Sequence, residues 1–336
     1  MDKLRIIRRM LFALPLSEAN FKVRGFTKGS SAQNRLEMVA KTVVSGYNTA
    51  LETGLSNDLE THTKYVKTEL VGFFNEGIGM GLYTLDVFSI FNKNRFWNFI
   101  RTKGKHHEYM SYIGAGIASG VFFNLPFKRF VEKADPTSGL LILNGLGFYY
   151  AYFKPKKTLQ HFYIPKSVQK DRFFIECYDN GIGRALWFYN GGIPSEIANT
   201  ISNFPLERQG AIWSGVGLAA TYAGGVSELK IRELKEEAGS FAYMLGEGAV
   251  LACHTRDIAG NPHKTDTTEK ILTGANVQSC IAFAAKAKEN LQNRRFITGK
   301  HSLSVFLENI REWVAANHDE YKTDKKHNLV HTPSDY

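Results

Sequence analysis

Apolar positions recur at helical spacing along most of the chain. The runs 172–189 and 238–256 hold apolar stripes with a 3.6-residue period. The stretch 140–153 is apolar on nearly every side and is interrupted only by Asn144 and two glycines, which predicts a buried helix. The run 302–316 predicts a further amphipathic helix, followed by a polar tail over 321–336. Asn34, Asn57, Ser195 and Thr265 are read as helix N-caps, and Pro194, Pro205 and Pro262 fall at breaks between segments. Strand patterns are weak, so the pattern predicts an all-α protein.

Glycines punctuate these helices in pairs, and the pairs recur. Gly77 and Gly79 match Gly181 and Gly183, 104 positions on. The segment around Gly114 and Gly116 matches that around Gly215 and Gly217, 101 positions on, and Gly145 and Gly147 match Gly246 and Gly248 at the same offset. One period back from Gly147 lies Gly46. A repeat this long indicates a duplicated subdomain. The predicted organisation is an N-terminal amphipathic segment (1–32), a first helical repeat (33–155), a second repeat with C-terminal helices (156–320) and the tail. Glycine within a helix costs about 1 kcal/mol relative to alanine. Close approach of crossing helices is the compensating gain such sites require. No strand precedes these glycines and none reads GxGxxG or GxxxxGK, so a phosphate loop is not indicated. The expected fold is an internally duplicated helical domain with glycine-mediated close packing around an apolar interior.

Composition fits that picture. The chain has 336 residues, 13% of them aromatic, and a net charge of +10. The basic residues are dispersed and lack the signatures of nucleic-acid binding, so no nucleic-acid partner is expected. Cys177, Cys253 and Cys280 are far apart and form no readable disulfide framework or metal site. Reduced thiols suggest a cytoplasmic location. The N-terminal segment pairs Lys3, Arg5, Arg8 and Arg9 with the apolar run 10–16, which suggests docking on the protein body or peripheral contact with the inner membrane. No stretch reaches the length needed to span a bilayer. No cofactor is identified by any motif.

Candidate chemistry lies where the two copies differ. Arg184 replaces Met80, Glu247 replaces Leu146 and His254 replaces Phe153. Glu176, Asn180 and Arg184 fall at i, i+4 and i+8. Glu247, Arg256, Arg184, His263 and Asp257 are therefore candidate catalytic residues, as an acid–base and anion-positioning cluster. The alternative is a buried Glu/Arg pair that pins helix register, with His254 facing solvent. Trp187, Trp213, Gly217, Tyr222 and Gly248 are candidate pocket residues. His-Glu-x-x-His, Glu-x-x-His, Gly-x-Ser-x-Gly and the Asp-rich motifs of ordinary terpene synthases are all missing from the sequence.

The segments 183–188, Glu207-Arg208, 211–225, 246–249, Arg256, 259–263 and 21–26 resemble the UnbL-type family, a bacterial family named from enediyne biosynthesis clusters. The chain differs from that family's usual pattern at Cys253 and His254. The resemblance implies an accessory protein acting on a linear conjugated polyene, encoded beside an iterative polyketide synthase and a membrane partner. Two other expectations stay open: an atypical isoprenoid cyclase that protonates an alkene, and a non-catalytic carrier of a hydrophobic ligand.

Overall fold

The computed structural model describes residues 3–56, 58–89, 93–121, 127–261 and 266–328. The chain opens with α1 (Lys3–Phe12), α2 (Phe21–Arg24) and α3 (Gln33–Thr53). Next come α4 (Asp58–Lys64), α5 (Val71–Phe88), α6 (Arg95–Arg101), α7 (Glu108–Val121), α8 (Phe127–Lys133) and α9 (Leu141–Phe153). After a π-helical turn over Lys156–Gln160 follow α10 (Arg172–Tyr189), α11 (Pro194–Ser202), α12 (Leu206–Tyr222), α13 (Glu228–Ala238) and α14 (Ala242–Ile258). The remainder is α15 (Thr267–Thr273), α16 (Val277–Glu289) and α17 (Ser302–Asn328). A short antiparallel hairpin, β1 (Phe296–Ile297) and β2 (Lys300–His301), holds the only strands among the described residues.

The fold is all-α, and one contact builds it. Six glycine pairs join seven helices in the order α3, α5, α7, α9, α10, α12, α14: Gly46 with Gly77, Gly79 with Gly114, Gly116 with Gly145, Gly147 with Gly181, Gly183 with Gly215, and Gly217 with Gly248. In every pair each glycine lies against the carbonyl of the residue three before its partner. A Cβ at Gly181 would stand 1.9 Å from the Asn144 oxygen, and one at Gly147 would stand 1.9 Å from the Tyr178 oxygen. Real side-chain atoms do not approach so closely, so only glycine permits this backbone separation. Cα–H groups facing carbonyl oxygens add a weak attraction at each crossing.

Each of the five inner helices carries two such glycines, two residues apart. The first meets the preceding helix and the second meets the following one. The row ends where one glycine of the pair becomes valine, at Val44 in α3 and Val250 in α14. Because the rule applies to every helix, Gly248 plays the part of Gly145 rather than that of Gly147. The expected pairing of Gly145 with Gly246 is therefore out of register by two. Gly246 meets Val314 and Leu272 instead.

Neighbouring helices in the row run parallel. Gly77 meets Val43 and Tyr47, and Gly81, one turn on, meets Tyr47 and Ala50. Gly116 and Gly120 likewise meet Gly145 and Tyr149 in turn. Parallel neighbours need a return connection, and α4, α6, α8, the 156–171 segment, α11 and α13 supply one per step. The crossing from α9 to α10 spans the 155/156 boundary with the same contact as every other step. The row curls, so that Arg184 of α10 reaches Glu76 of α5, and Arg35 Nε of α3 donates to the Ala223 carbonyl at 3.0 Å. The inner face of this curl is the apolar interior.

Several local expectations shift. Asn34 and Ser195 lie inside the first turn of their helices, which start at Gln33 and Pro194, while Asn57 and Thr265 fall outside the described residues. The side-chain caps are Asn20, Asp171 and Asn276. Helix α17 runs on to Asn328, since no glycine or proline interrupts 302–328. No helix of the described residues is long and apolar enough to cross a membrane.

Gly181→Ala is expected to destabilise the protein by about 1–3 kcal/mol, because Cβ must displace backbone. Gly210→Ala, whose nearest neighbour would be 3.6 Å away, should leave stability unchanged or raise it by up to about 1 kcal/mol. Urea unfolding of the two variants decides this, and equal effects would count against the glycine lattice.

Candidate functional site

The residue just before the first glycine of each helix points into the curl. In chain order these positions hold Val43, Glu76, Ile113, Asn144, Asn180, Ser214 and Glu247. Each of the first six also offers the backbone carbonyl against which the next helix's glycine packs. Five of the seven are polar, and their side chains form a continuous hydrogen-bonded belt. Arg184 Nη2 donates to Glu76 Oε1 at 3.1 Å and its Nη1 to Asn144 Oδ1 at 2.7 Å. Asn144 Nδ2 donates to Asn180 Oδ1 at 2.6 Å, and Asn180 Nδ2 to Ser214 Oγ at 2.9 Å. Ser214 Oγ donates to Glu247 Oε1 at 2.6 Å. Arg311 of α17 closes the belt, donating from Nε to Glu247 Oε2 at 2.8 Å and from Nη2 to Glu176 Oε1 at 3.1 Å.

Two apolar cavities flank the belt. The larger leaves room for about 50 Å³ of contents, within about 800 Å³ of space between atoms that is partly open to solvent, between α7, α9, α10, α12, α14 and α17. Its walls are mostly aliphatic and aromatic, including Met110, Ile113, Leu218, Leu251, Leu303 and Phe306, with Glu176, Asn180 and Glu247 as polar members. The second, with room for about 50 Å³ of contents within about 580 Å³ of space partly open to solvent, lies at the other end under the N-terminal segment and is lined by Phe73, Met80, Phe148 and Tyr152 with Glu76 and Arg184. The N-terminal segment is fastened there by Asn48, which accepts from the Leu14 amide at 3.0 Å and donates to its carbonyl at 2.8 Å.

Burial governs the electrostatics. Loss of solvent raises the carboxyl pKa values of Glu76 and Glu247, against the opposing pull of Arg184 and of Arg311 respectively. Burial works to lower Arg311, but the Glu247 and Glu176 carboxylates outweigh it and hold the guanidinium more firmly protonated. A buried ion pair repays desolvation only when its remaining hydrogen bonds are satisfied, and Ser214 and Asn144 satisfy them here. Arg208, within the sequence motif at 207–208, has a separate packing role, with Nε and Nη2 on Asp179 at 2.9 and 2.5 Å.

The structure brings together some of the expected residues and disperses others. Glu247 lies in the wall of the larger cavity and Arg184 in that of the smaller, joined through the belt. Glu176, Asn180 and Arg184 share one inward stripe, as their spacing implied. Arg256 is buried farther along α14, over the Tyr222 ring with Cζ 4.3 Å from its centroid. Asp257 is exposed at the end of α14, away from the belt, because the next helical position rotates it outward. His263 lies outside the described residues. Of the expected pocket residues, Tyr222 lines the larger cavity. Trp187 and Trp213 are buried in helix packing, and Gly217 and Gly248 form the sixth glycine pair. His254 is buried between the Tyr109 and Phe306 rings rather than facing solvent, because its helical position falls on the inner side of α14.

Glu76, Asn144, Ser214 and Arg311 are the belt members that comparison of the two copies does not reveal. The first three share the position before the glycine, which is a readable signal. Arg311 lies outside the repeat and carries none. No group of three His, Cys, Asp or Glu that could hold a metal occurs among the described residues.

Burial, with a smaller contribution from Lys288, lowers the His254 pKa from 6.5 to about 4. The unfolded chain therefore takes up this proton at a higher pH than the fold does. The stability so protected is present above pH 6.5 and lost as pH falls towards 4. Between about pH 7.5 and pH 5 this single group should remove about 2 kcal/mol of stability. His254→Phe should reduce the loss by that amount in urea unfolding at the two pH values. An unchanged loss would show that His254 is not held neutral.

Comparison with curated proteins finds no match, and comparison with solved structures finds none. One family model matches, over residues 3–313, and it is described as a protein of unknown function, DUF1702. The match takes in the whole helical row and the first part of α17, so the chain belongs to the DUF1702 family.

Proposed function

We propose that the protein is an accessory factor of polyketide-type biosynthesis that binds a linear conjugated hydrocarbon chain in the larger cavity, with Glu247 as its acid–base group. The observation that carries this reading is Glu247 itself: a buried carboxyl with a raised pKa in the wall of a mainly apolar cavity. A narrow space with aliphatic and aromatic walls suits an extended unsaturated chain, whose transfer from water is driven by apolar area. The resemblance of segments 183–188 and 211–225 to the UnbL-type family supports the same substrate class. The Glu247 carboxylate can take a proton from one carbon of a conjugated chain, and the resulting acid can return a proton to another. The double bonds shift, the carboxylate is regenerated and no oxidant is consumed.

The test is titration with a long-chain conjugated tetraenoic fatty acid, whose emission rises in an apolar site, followed by chromatography of the recovered polyene. Wild-type protein should bind and isomerise it. Glu247→Gln should bind it equally and convert it at least about 100-fold more slowly. Binding without conversion by the wild type would favour a carrier, and no binding would remove the cavity from consideration.

Peripheral attachment to an anionic membrane surface belongs to the same proposal. On α1, Ile7, Met10 and Leu11 are exposed beside Arg8 and Arg9. Such a helix places apolar side chains at the acyl boundary and basic ones among acidic headgroups. Sedimentation with acidic phospholipid vesicles should recover the wild type. The double variant Met10→Glu, Leu11→Glu should bind at least about tenfold more weakly. Equal binding would exclude α1 as the contact.

A further inference from the structure

The buried arginines of the row have acidic partners with one exception. Arg184 meets Glu76 and Arg208 meets Asp179, just as the half-buried Arg311 of α17 meets Glu247 and Glu176. Arg256, only 5% exposed, has no carboxylate partner among the described residues. It donates from Nη2 to the Tyr222 carbonyl and from Nη1 to the Asn261 carbonyl at 3.4 Å, and it lies over the Tyr222 ring. All three partners are neutral.

The groups around this guanidinium are also unsatisfied. Arg256 Nε, Tyr222 Oη and both polar side-chain atoms of Asn261 are buried and lack a well-formed hydrogen bond, although the Asn261 side chain lies near enough to the Tyr222 hydroxyl to act on it. Tyr222 and Asn261 are 3% and 1% exposed. The end of α14 brings them together. Gly260, at φ +60°, lets the Asn261 amide return to the Arg256 carbonyl at 2.9 Å and its own amide to the Asp257 carbonyl at 3.0 Å. This turn sets Asn261 beside Arg256. Buried polar groups left unpaired in one place are costly, and the donors of Arg256, Tyr222 and Asn261 gathered there make a site for an anion.

We propose that Arg256, Tyr222 and Asn261 bind a carboxylate head group of the molecule whose chain occupies the larger cavity. The inference rests on the cavity reading above. Tyr222 connects the two, since it both lines the cavity and lies under the Arg256 guanidinium. The surrounding charges leave room for no more than a monoanion: Arg256 and the nearby Arg35 are cationic, and the Glu69 and Glu269 carboxylates oppose further negative charge. The guanidinium forks to two carboxylate oxygens, and the Tyr222 hydroxyl and Asn261 amide supply two further donors.

The experiment compares the conjugated tetraenoic acid with its methyl ester by polyene emission, using an alkyl phosphate as competitor. The wild type should bind the acid at least about tenfold more tightly than the ester. Arg256→Gln should abolish that preference by weakening acid binding to the level of the ester, and Arg256→Lys should retain part of it. Equal binding of acid and ester by the wild type, which needs no variant, would overturn the head-group site while leaving the cavity intact. Failure of both to bind would overturn the cavity reading and this site with it. Stronger displacement by the alkyl phosphate than by the acid would overturn the carboxylate assignment in favour of a phosphate.

Discussion

The structure depends on glycine α-carbons set directly against carbonyl groups of the neighbouring helix. At each of six crossings the contact is reciprocal and uses the same residue offsets. A side chain at these positions would force two backbones apart, so the contact fixes both the spacing of the helices and their register. Register determines function here. Once the glycines are fixed, the residue before the first one must face the interior of the curl, and its carbonyl is committed to the next helix. Seven helices thus deliver seven equivalent side chains to one level, which is how residues from Glu76 to Glu247 come into a single belt.

A belt of this kind divides an apolar interior without opening it to water. Its two glutamates are paired with arginines, and its amides and hydroxyl occupy the remaining hydrogen-bonding capacity. Such a network is tolerated in a core only when fully satisfied. Arg256 departs from that rule: among the described residues it forms no ion pair with a carboxylate, and unpaired polar groups lie beside it. The contrast within one molecule gives the exception its meaning: the same fold that neutralises Arg184 and Arg311 leaves Arg256 donating to neutral carbonyls.

Much of the fold was legible in the sequence. The glycine pairs, the helices over 172–189 and 140–153, and the repeat are all visible as patterns. The true unit was not. Successive first glycines, from Gly77 to Gly114, Gly145, Gly181, Gly215 and Gly248, are 31 to 37 residues apart because the return segments differ in length and content. Only the three-helix multiple near 101 preserves enough similarity to be seen. The site was half legible for a related reason. Comparing copies finds Arg184 and Glu247, which differ between them, but passes over Asn144 and Ser214, whose importance lies in position relative to glycine. Trp187 and Trp213 looked like pocket walls, since nothing in a sequence distinguishes an aromatic that lines a cavity from one that fills the packing beside it.

The central claim is that the glycine lattice shapes a ligand-holding interior along the inner face of the row. The most direct measurement is a crystal structure of the protein with a conjugated tetraenoic fatty acid. The account predicts continuous density for the chain between α7, α9, α10, α12, α14 and α17, beside Glu247, with its carboxylate within hydrogen-bonding distance of Arg256. Ligand found only on the outer surface, with side chains closed across the cavity, would contradict it.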